Sequence, residues 1–296
     1  MCFWYSPEDR STMRGKSIVR CTTLANLTPS PRTCMELRTR GGATSLQARS
    51  QSAPRLVSIV IPTYNERQNL PRLVAGIAGV VRWPYEIVVV DDSSPDGTAD
   101  LARDLANTYP VRLLSRPAKS GLGSAYRDGF AQAKGDIVFE MDADLSHDPR
   151  HIPALVQAIV DGADIAVGSR YIPGGRIVGW GAYRKLVSGV GNGLARLALT
   201  LGVRDVTSGY RCYSRAAAAV VQDAKSDGYA FQVEALWLAK KRGLRIAEVP
   251  ITFENRVVGK SKLGPSEFGR FLKTLARLRV TRAPRAGQKG RPVRTP

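Results

Sequence analysis

Histidine and cysteine are scarce in this chain, with two of the first and four of the second among 296 residues. Cys2, Cys21 and Cys34 lie near the start and Cys212 stands alone. No pair has zinc-ligand spacing and no disulfide framework is visible, so a reducing compartment is the simpler reading. His147 and His151 are the only imidazoles, and no Ser-His-Asp order is available. No window approaches the ~20 apolar residues that a membrane-spanning helix needs. The stretch Ser17 to Leu27 is broken by Arg20, Thr22 and Thr23 and lacks the apolar centre of a signal peptide. Work at a membrane would therefore require docking on its surface or a separate membrane-anchoring subunit. No G-x-x-x-x-G-K-[ST] run exists, which argues against a P-loop nucleotidase.

What is abundant is positive charge and apolar residues. The chain is 43% hydrophobic, ample for one sizeable core, and its net charge is +19. Residues 1–54 hold eight Lys/Arg against three Asp/Glu, and 284–296 hold four Lys/Arg and no acid. We expect 1–54 to be a disordered basic extension, or a start placed too early, and 284–296 to be a disordered basic tail. Residues 55–283 then form the folded domain. A basic surface suits an anionic partner, whether nucleic acid, anionic lipid or a phosphorylated substrate.

The domain alternates two periodicities. Apolar runs at Val57–Ile61, Glu86–Val90, Val111–Leu114, Asp136–Met141 and Asp164–Val167 read as strands buried on both faces. Helical patterns separate them at 68–81, 98–109, 124–134 and 153–160, with Ser94-Pro95 as a cap and first-turn proline for the second. Gly121-Leu122-Gly123 follows the third strand and lacks a third glycine on schedule, so it reads as a turn and helix start. This rhythm predicts a doubly wound, mostly parallel α/β sheet with helices on both faces. Ligands of such folds sit beyond the carboxyl ends of the strands.

Those ends are polar. Asp142 and Asp144, two residues apart after an apolar strand, point to the same side and can share a hard divalent cation, Mg²⁺ or Mn²⁺, with substrate phosphates. Asp91-Asp92 ends the second strand, where an acid accepts hydrogen bonds from a nucleotide. For Asp91 and Asp96 a local cap or Asx turn is the better reading.

Seven ordered motifs, IPTYNERQNL, VVVDDSSPDGT, SGLGSAYRDG, MDADLSHDP, VGSRY, DVTSGYRCYSR and FENRVVGKSKLG, make the chain resemble glycosyltransferase family two, of GT-A fold, over roughly 56–280. Within it the closest likeness is to the polyprenol (dolichol) phosphate mannose synthases. The resemblance implies Pro62, Tyr64 and Glu66 as donor-nucleotide contacts, and Val90 and Asp92 as the wall and acceptor for the guanine end. It implies Asp142, Ala143 and Asp144 as the metal and diphosphate site. Arg170, Arg256 and Lys262 become the phosphate grip, with Arg184 on the acceptor side. Some relatives carry glutamine where Ser146 stands, and a hydroxyl is a weaker ligand, so a direct metal contact by Ser146 is not expected, and His147 reads as structural.

The implied reaction is inverting transfer of mannose from GDP-mannose to polyprenyl phosphate by a peripheral enzyme on the cytoplasmic face of a membrane. The acceptor is already ionised, so no strong base is needed, and Arg and Lys stabilise the leaving diphosphate. Rival readings are a polyprenyl-phosphate glucosyltransferase using a UDP-sugar, or a nucleic-acid-binding protein. The acidic strand edge and the lack of a nucleic-acid motif argue against the latter, so no nucleic-acid partner is expected. Three further expectations complete the reading: 171–183 is a mobile acceptor loop, 188–202 is a tightly packed glycine-rich helix in preference to one lying close to the membrane, and the basic amphipathic segment from Ser266 either covers the sheet or meets lipid.

Overall fold

The structure is a computed structural model that describes residues 54–255 and 265–281. Both tails named above, and the segment holding Arg256 and Lys262, lie outside the described residues. In chain order the elements are β1 (Val57–Thr63), α1 (Leu70–Val80), β2 (Tyr85–Asp91), α2 (Thr98–Leu105), β3 (Val111–Ser115), α3 (Leu122–Gln132), β4 (Ile137–Glu140) and α4 (Ile152–Val160). There follow β5 (Ile165–Ser169), β6 (Arg176–Ile177), α5 (Ala182–Leu199), β7 (Arg211–Ser214), α6 (Arg215–Val221) and α7 (Tyr229–Lys241). β8 (Ile246–Pro250), β9 (Thr252–Phe253) and α8 (Pro265–Val280) complete the order.

Seven strands form one sheet in the order β3-β2-β1-β4-β7-β5-β8. All pairings are parallel except those of β7, which runs antiparallel between β4 and β5. The expected mostly parallel sheet is thus found, with β7 and β8 added to the five apolar runs. The five apolar runs become β1 to β5 within two residues at each end.

Side chains alternate across the sheet, as the period of two requires. Ile59, Ile61, Ile87, Val89 and Phe139 pack with α1 and α4, while Val60, Val88, Val90 and Val138 pack with α3, α6 and α7. Helix α3 crosses the sheet at Gly129, where an added Cβ would lie 2.3 Å from Val60 Cγ1 and 3.0 Å from Val90 Cγ2. Only glycine allows that approach.

Two local expectations are corrected. Helix α2 begins at Thr98 after Gly97 (φ 79°), not at Ser94-Pro95. Ser94 instead closes an Asx turn, its N–H and Oγ–H donating to Asp91 at 2.9 and 2.6 Å. The glycine-rich helix α5 is not tightly packed through its glycines. Gly189 and Gly193 face open space, and only Gly191 touches a neighbour, Phe271, at van der Waals distance.

Candidate active site

Strand ends β1, β2 and β4 open on a cavity of about 710 Å³. Pro62, Tyr64, Glu66, Asp92, Asp142, Ala143 and Asp144 all line it. Their positions follow from the backbone. Leu145 takes a left-handed conformation (φ 60°) that turns the chain sharply after Asp144. The Ser146 N–H then donates to Asp144 Oδ1 at 3.0 Å, fixing that carboxylate. The Tyr126 hydroxyl of α3 donates to Asp142 Oδ1 at 2.9 Å. Burial first, and the Asp142 charge second, hold that hydroxyl protonated. Asp92 is almost fully buried beside Arg116, with Nη1 3.2 Å from Oδ1. Burial pushes the Asp92 carboxyl up, opposed by the Arg116 guanidinium and by the Ser120 N–H at 3.3 Å.

Three implied site residues stand elsewhere. Val90 is fully buried beneath Gly129, facing α3, and is not among the residues that line the cavity. Arg170 does not line the cavity. Its Nε and Nη2 donate to the two Asp205 oxygens, each at 2.7 Å, and both residues are buried. In this structure two of its N–H groups are engaged by a carboxylate and one also meets the Thr207 hydroxyl at 2.9 Å. Arg184 also lies off the cavity lining, with Nη1 donating to Asn255 at 3.0 Å and its guanidinium 4.0 Å from the Trp180 ring centroid.

His147 is buried, stacked on Tyr210 with centroids 4.7 Å apart and edge-on to Phe253, which agrees with a structural role. The expected loop at 171–183 includes β6, which pairs with β9, and Trp180 packs on Phe253.

Several cavity residues had not been assigned to the site from the sequence. Lys119 places Nζ 3.8 Å above the Tyr64 ring. Arg270, Lys273 and Arg277 of α8 reach the same cavity from one helix face, while Phe271, Leu275 and Leu278 on the adjoining face are buried. The helix thus covers the core and delivers cations to the cavity. Their spacing of three and four was the available signal. Gln232 of α7 and Gly209 also line the cavity.

A mostly parallel α/β sheet whose acidic strand edge and an added basic helix share one cavity is the layout of a GT-A-type nucleotide-dependent transferase. The model of the family described as Glycosyl transferase family 2 matches residues 58–221. The chain belongs to that family. It is 42% identical to a polyprenol monophosphomannose synthase of Mycolicibacterium smegmatis over 215 residues, covering 70% of this chain and 81% of the relative. It is 41% identical to a dolichol-phosphate mannosyltransferase of Pyrococcus furiosus over 225 residues, covering 75% of this chain and 63% of that longer relative. Among solved structures, glucosyl-3-phosphoglycerate synthase from Mycobacterium tuberculosis, in complex with Mn²⁺, UDP and glucosyl-3-phosphoglycerate, shares the fold. It has a TM-score of 0.59 and 24% identity, covering 79% of this chain and 82% of that one.

Proposed function

We propose that this protein transfers mannose from GDP-mannose to polyprenyl phosphate with inversion at the anomeric carbon. The observation that carries the reading is the cavity, where the Asp142/Asp144 pair, the nucleotide-side residues Tyr64 and Asp92, and the α8 cations meet. The names of the two relatives supply the lipid acceptor and the sugar.

Asp142 and Asp144 would hold a divalent cation, Mg²⁺ or Mn²⁺. Among the described residues no three His, Cys, Asp or Glu side chains gather as a protein-only cage. Two carboxylates on the wall of that open cavity suit a hard cation that takes its other ligands from substrate and water. The solved relative that carries Mn²⁺ with UDP supports that view. When bound, such a cation neutralises charge growing on the leaving diphosphate.

The chain's own residues do the rest. Asp92 accepts from the base, steadied by Arg116, and Tyr64 under Lys119 flanks the nucleotide. Arg270 and Lys273 add positive potential where two phosphorylated substrates must approach each other, which lowers the cost of bringing like charges together. The acceptor phosphate is ionised at neutral pH, so positioning dominates. Arg256 and Lys262 remain candidate phosphate contacts by resemblance.

A lipid acceptor requires contact with a bilayer, and among the described residues no helix is long and apolar enough to cross one. Helix α5 offers a surface instead. Tyr183, Leu186, Val190, Leu194 and Leu197 recur at helical spacing and all are exposed, Leu186 by 65% and Leu197 by 78%. Lys185 and Arg196 are exposed on the same helix. An apolar stripe with flanking cations suits an anionic membrane interface.

The test is transfer of label from GDP-mannose and UDP-glucose, at equal concentration, to purified polyprenyl phosphate with Mn²⁺ or excess chelator. Lipid-linked mannose, lost in chelator and nearly lost in Asp144→Asn, is the expected result. A preference for UDP-glucose would replace the mannose reading with the glucosyl one.

A further inference from the structure

Among the described residues, Lys119, Arg270, Lys273 and Arg277 are the cations that line the cavity, and their settings differ. Lys119 stands at the nucleotide end, over the Tyr64 ring. Arg277 is engaged by the protein itself. Its Nη2 donates to Ser226 Oγ at 2.8 Å and to Glu234 Oε2 at 3.0 Å, which pins α8 to the start of α7. Arg270 and Lys273 lie nearer the start of α8. Three residues apart, they share one face of the helix, and both are exposed as well as cavity-lining.

The sheet order sets where these two sit. Tyr64, Glu66 and Asp92 follow β1 and β2, Asp142 and Asp144 follow β4, and Thr207 and Gly209 precede β7, the next strand along. The Thr207 end belongs to α5, because Asn192 Nδ2 donates to Thr207 Oγ1 at 3.2 Å and Asn192 Oδ1 accepts from the Val206 N–H at 2.8 Å. The Arg270 turn of α8 meets the same helix, since a Cβ added at Gly191 would lie 4.0 Å from the Phe271 ring. Around that contact the surface is apolar. Val190 and Leu194 of α5, on either side of Gly191 in sequence, and Leu272 of α8, next to Phe271, are all exposed.

Cavity-lining cations beside exposed leucines match a ligand that is a phosphate at one end and a hydrocarbon chain at the other. A sugar nucleotide carries no such chain. Charge points the same way. A divalent cation on Asp142 and Asp144 offsets the donor diphosphate, but a phosphate dianion brought up beside it needs positive charge of its own. Arg170 and Arg184, off the cavity lining, do not place that charge there.

We propose that Arg270 and Lys273 form the subsite for the phosphate of the lipid acceptor, with the hydrocarbon chain leaving at the seam between α5 and α8. Arg270 offers a planar fork of donors and Lys273 a point charge. The proposal rests on the reading of the cavity as a sugar-nucleotide site.

The experiment measures transfer from GDP-mannose to a short, detergent-soluble polyprenyl phosphate, so that bilayer docking does not enter, and GDP binding alongside by calorimetry. The variants are Arg270→Ala, Lys273→Ala, Lys273→Arg and, as a control, Arg279→Ala, an exposed cation of α8 that is not on the cavity lining. Arg270→Ala and Lys273→Ala should each raise the acceptor KM about tenfold, the scale of one hydrogen bond to a charged partner, while donor KM and GDP affinity stay within about twofold. Lys273→Arg should keep most of the acceptor affinity, because the charge remains, and Arg279→Ala should change every parameter by less than about twofold. A loss that falls on GDP affinity or donor KM instead would make these cations donor contacts and overturn the proposal. So would an acceptor KM that stays at the wild-type value, or one that Arg279→Ala raises equally, the signature of bulk charge. Failure of wild type to transfer mannose at all would refute the substrate reading itself and take this inference with it.

Discussion

Replacing Glu140 by glutamine tests, through stability alone, the buried cluster that this last residue of β4 forms with Tyr213 and Gln232. Burial pushes the Glu140 carboxyl from its ordinary 4.5 up to about 7, opposed first by the Arg211 charge and then by hydrogen bonds from Tyr213 and Gln232. A carboxyl raised in the native state binds more protons folded than unfolded between these two values. Stability linked to it is therefore present at low pH and is lost as pH rises through 7. Integrated from pH 5 to pH 8, the shift corresponds to about 2–3 kcal/mol. Glutamine is close in shape, keeps an oxygen for the Tyr213 hydroxyl and cannot ionise. Urea unfolding of both proteins at pH 5, 6, 7 and 8 reads the difference. The gap should move by about 2–3 kcal/mol in the variant's favour between pH 5 and 8. Parallel pH curves would refute the placement of an ionisable carboxyl in a solvent-free environment at the end of β4.

Asp205→Asn should cost about 3–5 kcal/mol in urea unfolding, because a buried ion pair would lose its acidic member; a loss below about 1 kcal/mol would show that the pair is not what holds Arg170 in place. Leu186→Glu with Leu197→Glu should abolish co-sedimentation with anionic vesicles while transfer to a short, detergent-soluble polyprenyl phosphate persists, since both side chains already face solvent; unchanged vesicle binding would remove α5 from the interface.

The sheet and its acidic edge were legible because each rests on local pattern. Runs such as Val57–Ile61 are apolar on both faces, and the Asp142/Asp144 spacing is short. What escaped depended on partners far along the chain. β7 reads Arg-Cys-Tyr-Ser, yet its arginine is buried, with Nη1 and Nη2 donating to the Gln232 and Val206 carbonyls at 2.8 and 2.9 Å. Arg170 looked like a free cation because its partner stands 35 residues later. Val90 was misplaced for a different reason. Strand parity puts it on the face of Val88, beneath α3, and that alternation was available in the sequence. The basic residues of α8 were visible, but not the turn of the chain that brings them to the strand ends.

The central claim is a single displacement at the anomeric carbon by a lipid phosphate. Incubating the purified protein with GDP-mannose, polyprenyl phosphate and Mn²⁺, then determining the anomeric configuration of the lipid product by NMR, tests it most directly. GDP-mannose is α-linked, so the account predicts one mannose per lipid phosphate in β linkage. An α-linked product, or mannose that never enters the lipid fraction, would contradict it.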